Sequence, residues 1–304
     1  MDYQLGIDID PAELIALRWH ARPFALSSKR RVASAVSGLH ASRFRGRGVD
    51  YLESRNYQHG DDIRNMDWRV TARTGKAHTK IYQEERERPV LLMLDLNGSM
   101  FFGTRTRLKS VAAAQVAALF SWATTGRGDR VGALAFGDGD FHETRPTGGR
   151  RGAMAMIRSL SKWYQPVVRP TTDHGLGNAL ERVRRVLRPG SMVVLISDFY
   201  SCDDTVERHL NRIRQHNDML AIRVHDRLEQ VAPPPGRYSI SDGANIGTLK
   251  ASSAQRRQQY QAWFAERRQQ VADLLTRRNI PLIDIDSGLD PIEQLMTGFR
   301  VVGQ

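Results

Sequence analysis

Two uninterrupted apolar runs, VLLMLD (Val90–Asp95) and SMVVLISDF (Ser191–Phe199), limit how this chain can fold more than any other feature. Runs of this length are too short to span a membrane, and turn residues bound them. They read as strands buried on both faces, which is the habit of parallel sheets covered by helices. Around them the pattern alternates. RLKSVAAAQVAALFSWAT (Arg107–Thr124) sets Leu108, Val111, Ala112, Val116, Leu119 and Phe120 on one helical face, and GDRVGALAF (Gly128–Phe136) reads as the next strand. MAMIRSLSKWY and LGNALERVRRVL are helical, the latter stopped by Pro189-Gly190. TVERHLNRIRQ is a helix, DMLAIRVHD a strand, AQRRQQYQAWFAERRQQVADLLTRRN a long helix, and IPLIDID a final strand before a short helix. Such alternation predicts an α/β domain over residues 89–304 with a mostly parallel sheet flanked by helices. PPPGRYSISDG reads as a loop leading into a short hairpin, because three prolines cannot donate to a central ladder.

Residues 1–88 lack clean periodicity and are rich in Gly, Arg and turn residues, so they are expected to form a separate N-terminal module, basic, irregular and partly β. Two domains suit a chain of 304 residues. Hydrophobic residues make up 40% of it, which excludes intrinsic disorder. A mean hydropathy of -0.47 and the lack of a long apolar run exclude a bilayer span. The opening MDYQLGIDIDPAEL has no basic segment followed by an apolar one, so a cytoplasmic location is expected. A single cysteine, Cys202, excludes an intramolecular disulfide framework and cysteine-based zinc clusters.

Lys and Arg exceed Asp and Glu by 45 to 33, a net charge of +12 that favours acidic partners. The densest basic stretch runs from Arg18 to Arg47, with no acid between Glu13 and Asp50 and with Phe44, Tyr51, Tyr57 and Trp68 in or near it. Nucleic-acid binding through this segment is therefore an alternative reading. No recognised nucleic-acid module is visible, and no specific nucleic-acid partner is expected. In GDDIRNMDW, the acids Asp61, Asp62 and Asp67 lie among Arg55, Arg64, Arg69 and Arg73, as in an internal ion-pair network.

Ligands of open parallel sheets bind at the carboxyl ends of strands, where the strand order reverses. Asp95 and Asp198 stand at two such ends. In Asp95-Leu96-Asn97-Gly98-Ser99, oxygen-bearing side chains recur at alternate positions, with Gly98 giving the loop backbone freedom. A carboxylate, an amide carbonyl and a hydroxyl suit a hard divalent cation such as magnesium.

At these residues the chain resembles von Willebrand factor A-like domains, whose metal-ion-dependent adhesion site begins with an Asp-x-Ser-x-Ser loop after the first strand. The longer run SRFRGRGVDYLESRNYQHGDDIRNMDWRVTARTGKAHTKIYQEERERPVLLMLDLNGSM, with GDRVGALAF, RPGSMVVLISDF and RVHDRLEQVAPPPGRYSISD, resembles the bacterial family called domain of unknown function 58. The resemblance implies a von Willebrand A-like Rossmannoid domain behind an N-terminal β-rich module. It implies a partial metal site: Asp95 and Ser99 match loop ligands, Asn97 stands where Ser is usual, Thr171 or Thr172 supplies the threonine, and Asp198 the final aspartate. It further implies an adaptor or assembly factor acting with a MoxR-type AAA+ ATPase on a client, through a magnesium ion that leaves one coordination position for a partner's carboxylate. A degenerate, metal-independent scaffold is the alternative within the same family.

An aspartate after the first strand is also how haloacid dehalogenase-like phosphatases present their nucleophile. Those enzymes need a second aspartate two positions on, where this chain has Asn97, which cannot act as an acid or base. The Gly-x-Ser-x-Gly, P-loop and His-Glu-x-x-His patterns are absent. The chain is accordingly not expected to be an enzyme.

Overall fold

A computed structural model of the chain describes residues 6–21, 49–58, 61–84, 89–137, 140–164, 175–241 and 246–302. They fall into two compact units, Ala41–Glu87 and the remainder of the chain.

The larger unit begins with helix α1 (Pro11–Ala16), whose start is written in its sequence: Asp10 accepts a hydrogen bond from the Ala12 amide at 2.8 Å, and Pro11 takes the first helical position. The body of the unit is a six-stranded sheet. In chain order its strands are β3 (Val90–Asp95), β4 (Arg130–Gly137), β5 (Asp140–Gly148), β6 (Met192–Ser197), β7 (Asp218–His225) and β10 (Leu282–Asp286). In space they run β10-β7-β6-β3-β4-β5, all parallel except β5 against β4. β3 and β6 are thus central neighbours, and the order reverses between them. Both apolar runs are buried along their whole length, as their composition requires.

Strand alternation divides the core into two layers. On one face Leu92, Leu94, Val194 and Ile196 meet helices α3 (Lys109–Gly126), α4 (Gly149–Trp163) and α8 (Pro291–Val302). On the other, Leu91, Met93, Val193 and Leu195 meet α5 (Gly175–Val186), α6 (Asp204–Arg214) and the C-terminal turns of α7 (Ala254–Thr276). A hairpin of β8 (Arg237–Ser241) and β9 (Ile246–Lys250) follows the Pro-rich loop, as expected. The edge strand β5 carries no period-two apolar pattern, and Pro146 sits beside a register shift in its pairing with β4, so sequence periodicity does not reveal it.

The boundary expected at residue 88 does not hold for the beginning of the chain. Leu14, Leu17 and Ala21 belong to the α/β core. The reason lies in α3, which is Ala-rich and buried on every side, so it needs a cover on the face away from the sheet. α1 supplies part of that cover: the Trp122 indole donates to the Leu14 carbonyl at 3.0 Å, and Gln115 donates to Glu13 at 2.6 Å.

The smaller unit holds an antiparallel pair, β1 (Val49–Asn56) and β2 (His78–Glu84), with helix α2 (Trp68–Thr74) between them in sequence. The three acids of GDDIRNMDW act locally. Asp67 caps α2 by accepting from the Val70 amide at 3.1 Å and also takes the Ser54 hydroxyl at 2.6 Å. Asp61 pairs with Arg55 at 2.7 Å, and Asp62 caps a short 3₁₀ turn while pairing with Arg64. No described helix is long and apolar enough to cross a membrane.

If α1 is a structural part of the α/β unit, Leu14→Ala should destabilise it by about 2–5 kcal/mol, the usual cost of truncating a fully buried leucine. Urea unfolding followed by circular dichroism measures this, and exposed Val186→Ala should stay within about 0.5 kcal/mol of the parent.

Candidate functional site

The structure brings Asp95, Asn97, Ser99 and Asp198 together at the carboxyl ends of β3 and β6, where the sequence places them; Thr171 and Thr172 lie outside the described residues. Asp95 is 4% exposed and has both oxygens engaged. Its Oδ1 accepts from the Asn97 amide at 2.9 Å and from Asn97 Nδ2 at 2.7 Å; its Oδ2 accepts from the Ser197 hydroxyl at 2.6 Å. Asn97 is pressed in turn by the start of α5, where Gly175 approaches so closely that a Cβ there would sit 2.6 Å from Asn97 Nδ2. A larger residue there would have to push the Asn97 amide off Asp95.

Asp198 is aimed by an unusual backbone. Phe199 has φ +54, a left-handed conformation costing of order 1 kcal/mol in a residue with a side chain. Burial of its ring and a 2.8 Å bond from its amide to Ser197 Oγ hold it there. The turn lets Asp198 Oδ1 accept from the Tyr200 amide at 2.9 Å, while Ser99 also hydrogen-bonds the carboxylate.

Asp198 Oδ2 meets a residue that periodicity alone does not single out. Lys109, the first residue of α3, is fully buried, and its Nζ donates to Asp198 at 2.8 Å and to Glu229 Oε1 at 2.6 Å. A cation at a helix N-terminus opposes the helix dipole, and a buried lysine is rarely tolerated unless paired. The two carboxylates offset both costs. Glu229 Oε2 accepts from the Asp226 amide at 2.9 Å, closing a capping box on the 3₁₀ turn Arg227–Glu229. Asp226 takes the Thr104 amide and hydroxyl, each at 2.7 Å. One ammonium thus ties the start of α3 to the loops after β6 and β7. A signal for it exists in the sequence: Lys109 sits one and two turns before Ala112 and Val116, on a helix with no polar face.

The charges sort accordingly. Burial pushes the Asp95 carboxyl up to about 7, and the nearby Asp198 charge adds to the rise. Asp198 is equally buried, which alone would raise it, but the Lys109 charge and hydrogen bonds bring it below the ordinary carboxylate value. Lys109 is raised, since its two carboxylates outweigh the burial that disfavours its charge. Burial lifts Glu229 despite Lys109.

An adhesion-type divalent ion does not fit these residues. The cavity lined by Asp95, Asn97, Ser99, Ser197 and Asp198 measures about 10 Å³, near the minimum for a single water, whereas magnesium keeps several waters in sites of this kind. Both Asp95 oxygens hold donors, Asn97 turns its NH₂ toward Asp95, and the ammonium of Lys109 occupies Asp198. Among the described residues no group of three or more His, Cys, Asp or Glu side chains is placed to hold a metal. Cys202, nearby in sequence, is exposed and free.

Two measurements follow. Lys109→Met leaves the buried Asp198 carboxylate and the half-buried Glu229 without their cation and should destabilise by about 3 kcal/mol in urea unfolding at neutral pH. Because Asp95 binds its proton more tightly folded than unfolded, its contribution is fully present below about pH 4 and is lost as pH rises through about 7. In EDTA, Asp95→Asn should therefore gain stability relative to the parent between pH 4 and 8 and be the more stable at pH 8, by of order 4 kcal/mol. A variant whose stability relative to the parent does not grow between pH 4 and 8 contradicts the assignment.

Comparison with known proteins agrees with the sequence motifs. The family model described as protein of unknown function DUF58 matches residues 53–270. Uncharacterized proteins of Mycobacterium tuberculosis and Mycobacterium bovis are 30% identical over 285 residues, covering 93% of this chain and 88% of theirs. Among solved structures, the chain is similar to the conserved hypothetical protein BatB from Bacteroides thetaiotaomicron (14% identity, TM-score 0.42, 70% of this chain and 97% of that one). It is also similar to a von Willebrand factor type A protein from Catenulispora acidiphila (13% identity, TM-score 0.39, 74% and 44%). With the family model spanning most of the chain and relatives matching nearly all of it, the protein is a member of the DUF58 family.

Proposed function

We propose that this protein is a cytoplasmic, non-enzymatic adaptor or assembly factor that binds other proteins, acting with a MoxR-type AAA+ ATPase on a client complex and doing so without a divalent ion. The observation that carries this reading is the Lys109 triad. It ties the start of α3 to the loops after β6 and β7, and Thr104 on Asp226 joins the loop after β3 to them, so that the carboxyl end of the sheet forms one braced platform with an internal ammonium where an adhesion site would use a metal. A rigid platform suits binding, because little is lost in ordering it when a partner docks.

The same geometry supports a non-catalytic role. A phosphatase nucleophile needs a carboxylate oxygen facing a space that admits a phosphoryl group, but both Asp95 oxygens accept hydrogen bonds from Asn97 and Ser197, and the adjoining cavity holds about 10 Å³. The ATPase partnership is what family resemblance suggests, and von Willebrand A-like domains in general mediate protein contacts. The nucleic-acid alternative rests on Arg18–Arg47, most of which lies outside the described residues.

Two experiments test the proposal. Tagged protein expressed in its native host should recover a MoxR-type ATPase in Mg·ATP, and Asp95→Asn should recover it equally; recovery of nucleic acid alone overturns the adaptor reading. Millimolar Mg²⁺ or Mn²⁺ should leave the melting temperature of the purified chain within about 1 °C of its value in EDTA, since a ligand that does not bind the folded state cannot stabilise it. A saturable rise with either ion refutes metal independence.

A further inference from the structure

Beside the crevice, the exposed half of α7 carries a feature that the Lys109 triad does not use. Its four arginines, Arg256, Arg257, Arg267 and Arg268, form no ion pair among the described residues. Arg267 is the one of them that lies against aromatic rings. Its guanidinium lies 4.4 Å from the ring centroid of Tyr200 and 5.5 Å from that of Trp263. Trp263 meets Phe264 edge-on at 4.7 Å, and Phe264 meets Tyr260 at 4.9 Å. Despite these contacts Tyr200 is 40% and Trp263 45% exposed.

The backbone beneath this stack is fixed. Arg223 donates to the Arg268 carbonyl at 3.1 Å while forking onto Asp284 at 2.6 and 2.9 Å, which fastens α7 to β7 and β10. Tyr200 is fixed by its own amide bond to Asp198.

We infer that Arg267, held between Tyr200 and Trp263, forms the centre of a docking surface for an acidic segment of a partner protein and takes one of its carboxylates as a two-pronged hydrogen-bonded pair. This rests on the protein-binding reading above and names the chemistry of the partner. An arginine laid against aromatic faces keeps its N–H fork free at the edge, and that fork matches a carboxylate. Exposed Tyr and Trp around an arginine is the composition of an interface hot spot. Charge complementarity selects an acidic occupant: Lys109 holds Asp198, Asp203 caps α6 through the Val206 amide at 2.8 Å, and against the four arginines of α7 stands Glu266, which accepts from Gln270 at 3.4 Å. Single-stranded nucleic acid fits less well, because base stacking needs open ring faces and the guanidinium covers one face of both Tyr200 and Trp263.

The test is fluorescence anisotropy of a labelled Glu-rich peptide and of a single-stranded oligodeoxynucleotide of equal charge, each titrated with the full purified chain at physiological salt. The parent should bind the peptide more tightly than the oligonucleotide. Arg267→Ala should weaken peptide binding about tenfold, Arg267→Lys should fall between, and Arg188→Ala, the same charge change at the opposite end of β6, should stay within about twofold. Equal losses in Arg267→Ala and Arg188→Ala mean diffuse attraction to a basic protein and overturn the inference. An unchanged Arg267→Ala, tighter oligonucleotide binding, or no peptide binding by the parent overturns it too. Native-host recovery of the ATPase separates the two proposals. If Arg267→Ala recovers as much ATPase as the parent, this surface falls and the adaptor reading stands. If the parent recovers none while peptide binding depends on Arg267, the ATPase partnership falls and the surface stands.

Discussion

A single buried ammonium organises the working end of this sheet. Lys109 starts a helix, which is the wrong end for a cation by the helix dipole, and it has no access to water. It is stable there only because Asp198 and Glu229 converge on it, and they converge because β6 and β7 are parallel neighbours whose following loops leave the same end of the sheet. The dependence runs both ways. Without the lysine, Asp198 would be a buried anion and Glu229 a half-buried one; without them, the lysine would be a buried cation. Removing one member of such a set costs far more than the set contributes over an apolar core, so the triad is better understood as a device that fixes geometry than as a source of stability.

The rest of the crevice adjusts to that choice. With one full negative charge balanced by Lys109, a second buried carboxylate at Asp95 meets both desolvation and repulsion, and its proton affinity rises to match. Asn97 and Ser197 donate to Asp95 where, in an adhesion-type site, a metal would compete for the same oxygens. Gly175 lets α5 close over Asn97, which shrinks the space left between them. Together these contacts form a filled polar junction between strands rather than an open socket.

Much of the fold was legible because burial on both faces forces apolar runs, and these mark β3, β4, β6 and β7 plainly. The one-sided helices α4, α5 and α6 show their periodicity for the same reason. β5 escaped because an edge strand is free of that demand and its pattern is set by solvent and by Pro146. The placement of α1 was legible in principle through α3: a helix of Ala, Val, Leu and Phe with no polar side must be covered on all sides. The site was legible only in part. Asp95, Asn97, Ser99 and Asp198 follow from the rule that ligands gather at strand ends, since strand order alone brings them together. Lys109 and Glu229 did not follow, because 120 residues separate them and a charged residue in a first turn is ordinarily read as solvated.

An internal ammonium also changes what a partner can recognise. In an adhesion site the exposed positive charge belongs to the metal, and a partner's carboxylate completes its coordination. Here the positive charge at that depth is a lysine with both neighbours satisfied and no exposed surface, so it offers nothing to a docking acid. Among the described residues, Arg267 is a cation at the rim of the crevice without an ion pair, outside the filled junction and braced by Tyr200, whose backbone is set by the same Asp198 that Lys109 holds. Recognition would in that way move from the floor of the crevice to its rim while remaining mechanically coupled to it. Any change that loosens the Lys109–Asp198 pair would shift the Tyr200 turn, and with it one of the two rings that orient the arginine.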